Sequence, residues 1–284
     1  MGANDPDQGQ QKGMWASPEA AKAWQQGAAA RAKLFGQATN RMLDLANIGH
    51  GSRVLDIATG TGDQALMAAT RVGTTGSVLA TDIAESMVVI AAEAAREAGF
   101  GNVTTAVLDA QRIDLDPATF DAVISRNGLM FVPDLHGALV GIRRVLKPGG
   151  RLAAIVWSTP ERNPVFALPI RVASRYGALL QMNAGQSGPF ALSDPVALTE
   201  TYQRAGFQEV SVAAEALVYR FGSLAEFMQS RRGESAGPLQ AIMEKLGETE
   251  RARMRGEMEE QLRQFEGPNG FVAPGECLIA VGTK

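Results

Sequence analysis

The chain is 284 residues long, 45% hydrophobic and 20% charged, the make-up of a globular protein of one large domain or two small ones. Its formal net charge of −3 supplies no global basic field to hold a polyanion, which argues against nucleic acid as a partner. A single cysteine, Cys277, excludes an intramolecular disulfide framework or cysteine-based zinc cluster, and no apolar run approaches the ~20 residues needed to span a bilayer.

Residues 1–13 are polar, without the basic and apolar regions of a signal peptide; a disordered tail and a cytoplasmic setting are expected. Two helices follow in the segment Ser17–Ile48, the first capped by Ser17 with Pro18 at its first position. Strands and helices then alternate: "RVLDIA" strand, "DQALMAATRV" helix, "SVLATDI" strand, "SMVVIAAEAAREAG" helix, "VTTAVLD" strand, "FDAVISR" strand. "LHGALVGIRRVLKPGG" reads as a helix stopped at Pro-Gly-Gly, and "RLAAIVW" as a fifth strand. Five apolar runs separated by helices predict an α/β fold with a parallel sheet covered on both faces.

After Trp157 the alternation breaks into a segment rich in proline and glycine. "DPVALTETYQRAGF" predicts a helix and "EVSVAAEALVYRF" a long strand; two helical stretches occupy roughly 223–265, and "ECLIAVGTK" closes as a strand. The expected organisation is one domain over 14–284. It carries an N-terminal helical cap (14–48) and lid segments at 158–193 and 221–272.

The glycine-rich turn in "VLDIATGTGDQAL" has the spacing G-x-G-x-x-A from Gly60, and Asp82 lies twenty residues past Gly62. Alone, that spacing matches a dinucleotide-binding turn, whose helix N-terminus receives a pyrophosphate. Asp56, just before the turn, would repel a phosphate and favours a cationic ligand instead. Asp82, ending the second strand, suits the two hydroxyls of a ribose. Asp109 in "VLDAQ" suits an adenine amino group, with the Ala110 amide on a ring nitrogen; the alternative is a cap on the strand-end turn. A nucleoside with a cationic tail answers all three acids. An NAD-dependent oxidoreductase and a noncatalytic cofactor-binding domain remain the alternatives.

"VLDIATGTGDQAL", "ATDIAESMV", "VLDAQ", "FDAVISRNGLMFVPD" and "RRVLKPGGRLAAIVW", in order over about residues 40–160, together resemble the class I S-adenosylmethionine-dependent methyltransferases. The resemblance is strongest to the small-molecule branch related to ubiquinone/menaquinone biosynthesis methyltransferases. It implies a Rossmann-like, seven-stranded, mostly parallel sheet with helices on both faces and an antiparallel last strand. It also implies S-adenosylmethionine as cofactor. Asp56, Gly60, Thr61 and Gly62 would surround the methionine moiety, Asp82 would bind the ribose, and Ile83 and Met87 would lie against the adenine. Asp109 and Ala110 would read the adenine edge. Arg126 and Asn127 would end strand four, where a backbone carbonyl meets the methionine ammonium. The first glycine of the family loop is Ala58 here, so a negative φ and a slightly tighter loop are expected.

Methyl transfer is an in-line displacement at a carbon already activated by the sulfonium, so alignment and exclusion of water are the main tasks. No general base is marked: His50 and His136 show no metal-ligand spacing and read as structural, and Cys277 reads as buried strand. The acceptor pocket is expected from Trp15, Trp24, Phe35, Asn127 to Phe131 with Met130, and the segment with Trp157, Asn163 and Phe166. These residues suit an apolar small-molecule acceptor, aromatic or polyketide-like, or else form core. The absence of an Asn-Pro-Pro-Tyr-type motif after strand four and the single late cysteine speak against DNA methylation. No nucleic-acid partner, membrane insertion or metal is expected.

Overall fold

The structure, a computed structural model, describes residues 17–176, 187–233 and 246–284. The tail over 1–13 and Trp15 lie outside these residues. Helix α1 (Pro18–Gln26) starts as its sequence dictates: the Ser17 hydroxyl accepts from the Ala20 amide at 3.0 Å, and Pro18 fills the first turn, where no amide partner is needed. Helix α2 (Ala28–Leu45) follows and leads into β1 (Arg53–Ile57), α3 (Asp63–Val72), β2 (Ser77–Asp82), α4 (Glu85–Glu97), β3 (Val103–Val107) and β4 (Phe120–Arg126). A short 3-10 turn, Leu129–Phe131, precedes α5 (Leu135–Val145) and β5 (Leu146–Trp157). The remainder comprises α6 (Pro164–Ser174), α7 (Pro195–Arg204), β6 (Gln208–Phe221), α8 (Leu224–Gly233), α9 (Glu248–Leu262), β7 (Glu266–Gly267) and β8 (Gly270–Thr283).

The sheet order is β3-β2-β1-β4-β5-β8-β6, with β7 paired to β8 alone. Strands β1 to β5 are parallel, and β8 runs antiparallel between β5 and β6. The chain winds outward from β1 to β3, then returns to β4 beside β1 and winds the other way. Right-handed crossovers therefore place α3 and α4 on one face and α5 on the other, with the switch point between β1 and β4. The central strands are buried on both faces: Val54, Leu55, Val123, Ile124 and the run Leu152–Val156 are all at most 1% exposed.

The main path of the sheet has the seven strands expected, the last of them antiparallel, and two-residue β7 adds a short pairing to β8. Two expectations are corrected. The last strand begins at Gly270 and not at Glu276. Pro274 lies within it: β5 has already ended there, and a strand with one open edge tolerates a proline. The helix expected to stop at Pro148-Gly149-Gly150 already ends at Val145, and "LKPGG" enters β5 through a register shift against β4. Beyond Trp157, β6 and β8 continue as a two-stranded ribbon to the pair Phe221–Phe271, overhanging the carboxyl ends of the parallel strands.

Candidate active site

The switch point brings together the loop after β1, the end of β2 and the end of β4. The loop is wound by three left-handed residues: Ala58 at φ +57, Gly60 at +57 and Gly62 at +92. The expected negative φ of Ala58 is thus wrong. The turn keeps its handedness and Ala58 carries the strain, about 1 kcal/mol for a residue with a Cβ. Its neighbour allows this by being small: a Cβ on Gly128 would lie 2.4 Å from that of Ala58.

Asp56, expected beside a cationic ligand, has no exposed surface. It is fully buried, its two oxygens accepting from Thr59 Oγ1 at 2.6 Å and Gln64 Nε2 at 3.1 Å. Burial pushes its carboxyl up to about 7. Asp56 therefore organises the loop from beneath. Asp82, 8% exposed, accepts from the Gly60 amide at 2.9 Å and the Ala84 amide at 3.0 Å, clasping the loops after β1 and β2 together. Its carboxyl is raised by burial, against those amide hydrogen bonds. Ile83 beside it is half-buried. Met87 is 3% exposed and packs with Ala84 and with Ala21 of α1, so its side chain belongs to the contact between α1 and α4.

Asp109 adopts the strand-end turn that was the alternative reading: Oδ1 accepts from the Gln111 amide at 2.9 Å. The Leu108 amide donates to the Asp82 carbonyl at 2.9 Å, which sets half-buried Asp109 and Ala110 beside the end of β2.

At the end of β4, Arg126 donates from Nη2 to Asp63 Oδ2 at 3.0 Å and from Nη1 to Thr39 Oγ1 at 3.2 Å, and lies over Phe35. Burial lowers its pKa against the opposing pull of Asp63. Asn127 holds a left-handed φ of +58. Its Oδ1 and the neighbouring Ser125 Oγ are buried without a hydrogen-bond partner. Buried acceptors left unmatched at a strained strand end call for a donor from a ligand, and an ammonium is such a donor. The cofactor implied by the sequence fits these residues. Sequence reasoning missed Arg31, Thr39, Asp63 and Ser125. Asp63, first in α3 after the glycines, carried a signal; Arg31 and Thr39 reach the site only by the packing of α2.

The aromatic residues separate into two places. Trp24 sits on the glycine loop, its Nε1 3.0 Å from where a Cβ on Gly60 would be. Trp157 is the centre of a ladder: Phe35 meets it edge-on at 5.1 Å, Phe166 stacks on it at 5.4 Å, and Phe190 meets Phe166 edge-on at 5.7 Å. Met130 is buried and its carbonyl accepts from the Gly188 amide at 2.9 Å, while Phe131 is half-buried. Asn163 leaves the pocket set. It is fully buried and acts as a strut, with Nδ2 donating to the Thr159 and Glu276 carbonyls and Oδ1 accepting from the Glu276 amide. His136 is exposed on α5, and His50 is exposed before β1, at the far end of the strands. Cys277 is buried and its thiol is pushed up to about 12, chiefly by burial. Among the described residues no cluster of three or more His, Cys, Asp or Glu could hold a metal, and no helix is long and apolar enough to cross a membrane.

Comparison with known proteins agrees with this geometry. The model of the ubiE/COQ5 methyltransferase family matches residues 34–176, half of the chain. A ubiquinone/menaquinone biosynthesis C-methyltransferase of Teredinibacter turnerae is 41% identical over 122 residues, 43% of this chain and 49% of its own length. The chain thus spans about half of that relative. The protein of the same description from Cronobacter sakazakii is 34% identical over 179 residues, 60% of this chain and 71% of its own. Among solved structures, the YcgJ protein of Bacillus subtilis superposes with a TM-score of 0.59 at 18% identity, covering 88% of this chain and 98% of its own, a likeness of fold.

Proposed function

The chain belongs to the ubiE/COQ5 methyltransferase family, and on that footing we propose that it transfers the methyl group of S-adenosylmethionine to a ring carbon of a small, apolar aromatic acceptor. The oxidoreductase and noncatalytic readings find no support beside that membership. The observation that carries the acceptor class is the ladder Phe35–Trp157–Phe166–Phe190 beside the end of β4. Stacked and edge-on rings hold a flat apolar ring in a fixed plane and keep water out. The relatives' description as C-methyltransferases supports carbon as the methylated atom.

When bound, the cofactor supplies a methyl carbon already activated by its sulfonium. The acceptor's ring carbon would gain that methyl group and lose its ring proton, with S-adenosylhomocysteine as the other product. The chain's part is placement. In this reading, Asp82 and Ile83 hold the ribose side, Asp109 and Ala110 the adenine edge, Thr61, Gly60 and Gly62 the tail, and Asn127 the ammonium. Trp157 and Phe166 hold the acceptor ring in line. The net charge of −3 supports a small molecule over a nucleic acid, and the lone buried cysteine suits a cytoplasmic setting. We read residues 14–284 as one domain, with the cap and lid segments bearing the acceptor side.

The test is turnover with methyl-labelled S-adenosylmethionine and a panel of hydroxylated arenes of increasing apolar size, with the product carbon located by NMR. Label on a ring carbon is expected. Label on oxygen or nitrogen across the panel contradicts carbon methylation.

A further inference from the structure

Strand β8 carries an acid at the end of the sheet where the aromatic ladder stands. Glu276 lies across from Ser158, the residue after Trp157, and its backbone is held from two sides. The Ser158 amide donates to the Glu276 carbonyl at 3.2 Å. Fully buried Asn163 donates Nδ2 to the same carbonyl at 2.9 Å and accepts from the Glu276 amide at 2.9 Å. The Asn163 carbonyl in turn accepts from the Phe166 amide at 3.0 Å, so the clamp stands one helical turn from the ring stacked on Trp157.

The side chain is fixed as well. Ser158, 3% exposed, donates Oγ to Glu276 Oε1 at 2.6 Å, the length of a hydroxyl bond to an ionised carboxylate. Among the described residues Oε2 takes no hydrogen bond and no Lys, Arg or His pairs with the group. Its register neighbours on β6, Ala214, Ala216 and Val218, carry no charge. Glu215 pairs in register with Cys277 and so points to the opposite face, where Arg41 holds it. Glu161 and Arg162, in the 3-10 turn before α6, form no ion pair with Glu276 among the described residues. A half-buried carboxylate without a counter-ion is costly to keep for packing alone. One oxygen anchored and one left open is the arrangement a proton acceptor needs.

Resting on the reading of transfer to a ring carbon, we propose that Glu276 takes the proton of a hydroxyl group on the acceptor ring, with Ser158 setting the orientation of the carboxylate. The O–H bond breaks, its proton passes to Glu276 Oε2, and its electron pair enters the ring as the ring carbon gains the methyl group. S-adenosylhomocysteine is the other product. That carbon then releases its own proton to solvent, the electron pair of the C–H bond restores the ring, and the oxygen recovers a proton from Glu276.

The experiment measures kcat/KM against pH for a monohydroxylated arene and for its methyl ether. Where the hydroxyl is protonated in solution, Glu276→Gln is expected to lose about 100-fold, the low end for a positioned proton acceptor. The loss should shrink as pH rises and the acceptor ionises by itself. Wild type should methylate the ring carbon of the hydroxyarene and not that of the ether, whose oxygen has no proton to give. Thermal denaturation and calorimetric affinity for S-adenosylhomocysteine check that the variant folds with its cofactor side intact. A folded Glu276→Gln with the wild-type rate, or with the same loss at every pH, overturns the proposal. So does a wild type that methylates the ether's ring carbon as fast as the hydroxyarene, a comparison that stands even if the variant does not fold. A wild type that binds S-adenosylhomocysteine yet labels only oxygen or nitrogen overturns carbon methylation itself, and the role of Glu276 with it.

Discussion

At the ends of β1, β2 and β4, acids are answered by specific partners: Asp56 by Thr59 and Gln64, Asp82 by the amides of Gly60 and Ala84, Asp63 by Arg31 and Arg126. Around Trp157 the neighbours are rings, Phe35 and Phe166, with Phe190 beyond. Directional bonds fix one geometry and so suit one invariant ligand, the cofactor. Ring contacts are set by shape and buried area, and they admit a family of acceptors. Damage to the polar half should therefore register as stability and cofactor affinity. Damage to the aromatic half should register as acceptor turnover.

The largest effect is expected at Asp63. Its removal in Asp63→Ala leaves two guanidiniums, with side chains 7% and 6% exposed, without their shared carboxylate. A loss of about 3–5 kcal/mol is expected, the range for breaking a buried pair from one side, and denaturant unfolding reads it. A loss under about 1 kcal/mol would show that water already compensates the arginines.

Next comes pH. The Asp56 carboxyl stands at about 7 in the folded chain against an ordinary 3.8, so the folded state binds more protons between those values. Stability from this group is therefore full below about 4 and falls as pH rises toward about 7, on the order of 1 kcal/mol per pH unit. Unfolding free energies measured across that window should lose most of this slope in Asp56→Asn. An unchanged slope would place the titration elsewhere.

Phe166→Ala separates the halves. It removes the ring stacked on Trp157, and kcat/KM for the acceptor should fall about tenfold, an aromatic contact of about 1.4 kcal/mol. Affinity for S-adenosylhomocysteine should stay within about twofold, since the ring has no place in the polar network. Equal losses in both would merge the two halves. The smallest effect is Ala58→Gly, which relieves a left-handed residue at φ +57 and should raise stability by about 0.5–1 kcal/mol, read as a higher Tm.

The sheet and the acidic strand ends were legible because both depend on local pattern. Apolar runs such as "VLDIA" and "AAIVW" announce buried strands, and Asp56, Asp82 and Asp109 stand at fixed offsets from them. What those acids bind was less legible. Asp56 turns both oxygens to its own loop, since a carboxylate beside a hydroxyl and a side-chain amide in its own turn is satisfied locally, while Asp109 commits only Oδ1 to its turn. The network of Arg31, Thr39, Asp63 and Arg126 joins positions from residue 31 to residue 126, and only the packing of α2 across the switch point reveals it.

The most direct test of the account is a parallel calorimetric titration of the wild-type chain with S-adenosylhomocysteine and with NAD. The polar half as described has acids buried beneath its glycine loop, an orphan acceptor for an ammonium, and an acid, Asp63, opening the helix that follows the loop. It predicts binding of S-adenosylhomocysteine, weakened in Asp82→Ala by about 1.5–3 kcal/mol for the loss of hydrogen bonds to a charged group, and no binding of NAD at the same concentration. Tight NAD binding without S-adenosylhomocysteine binding would contradict it.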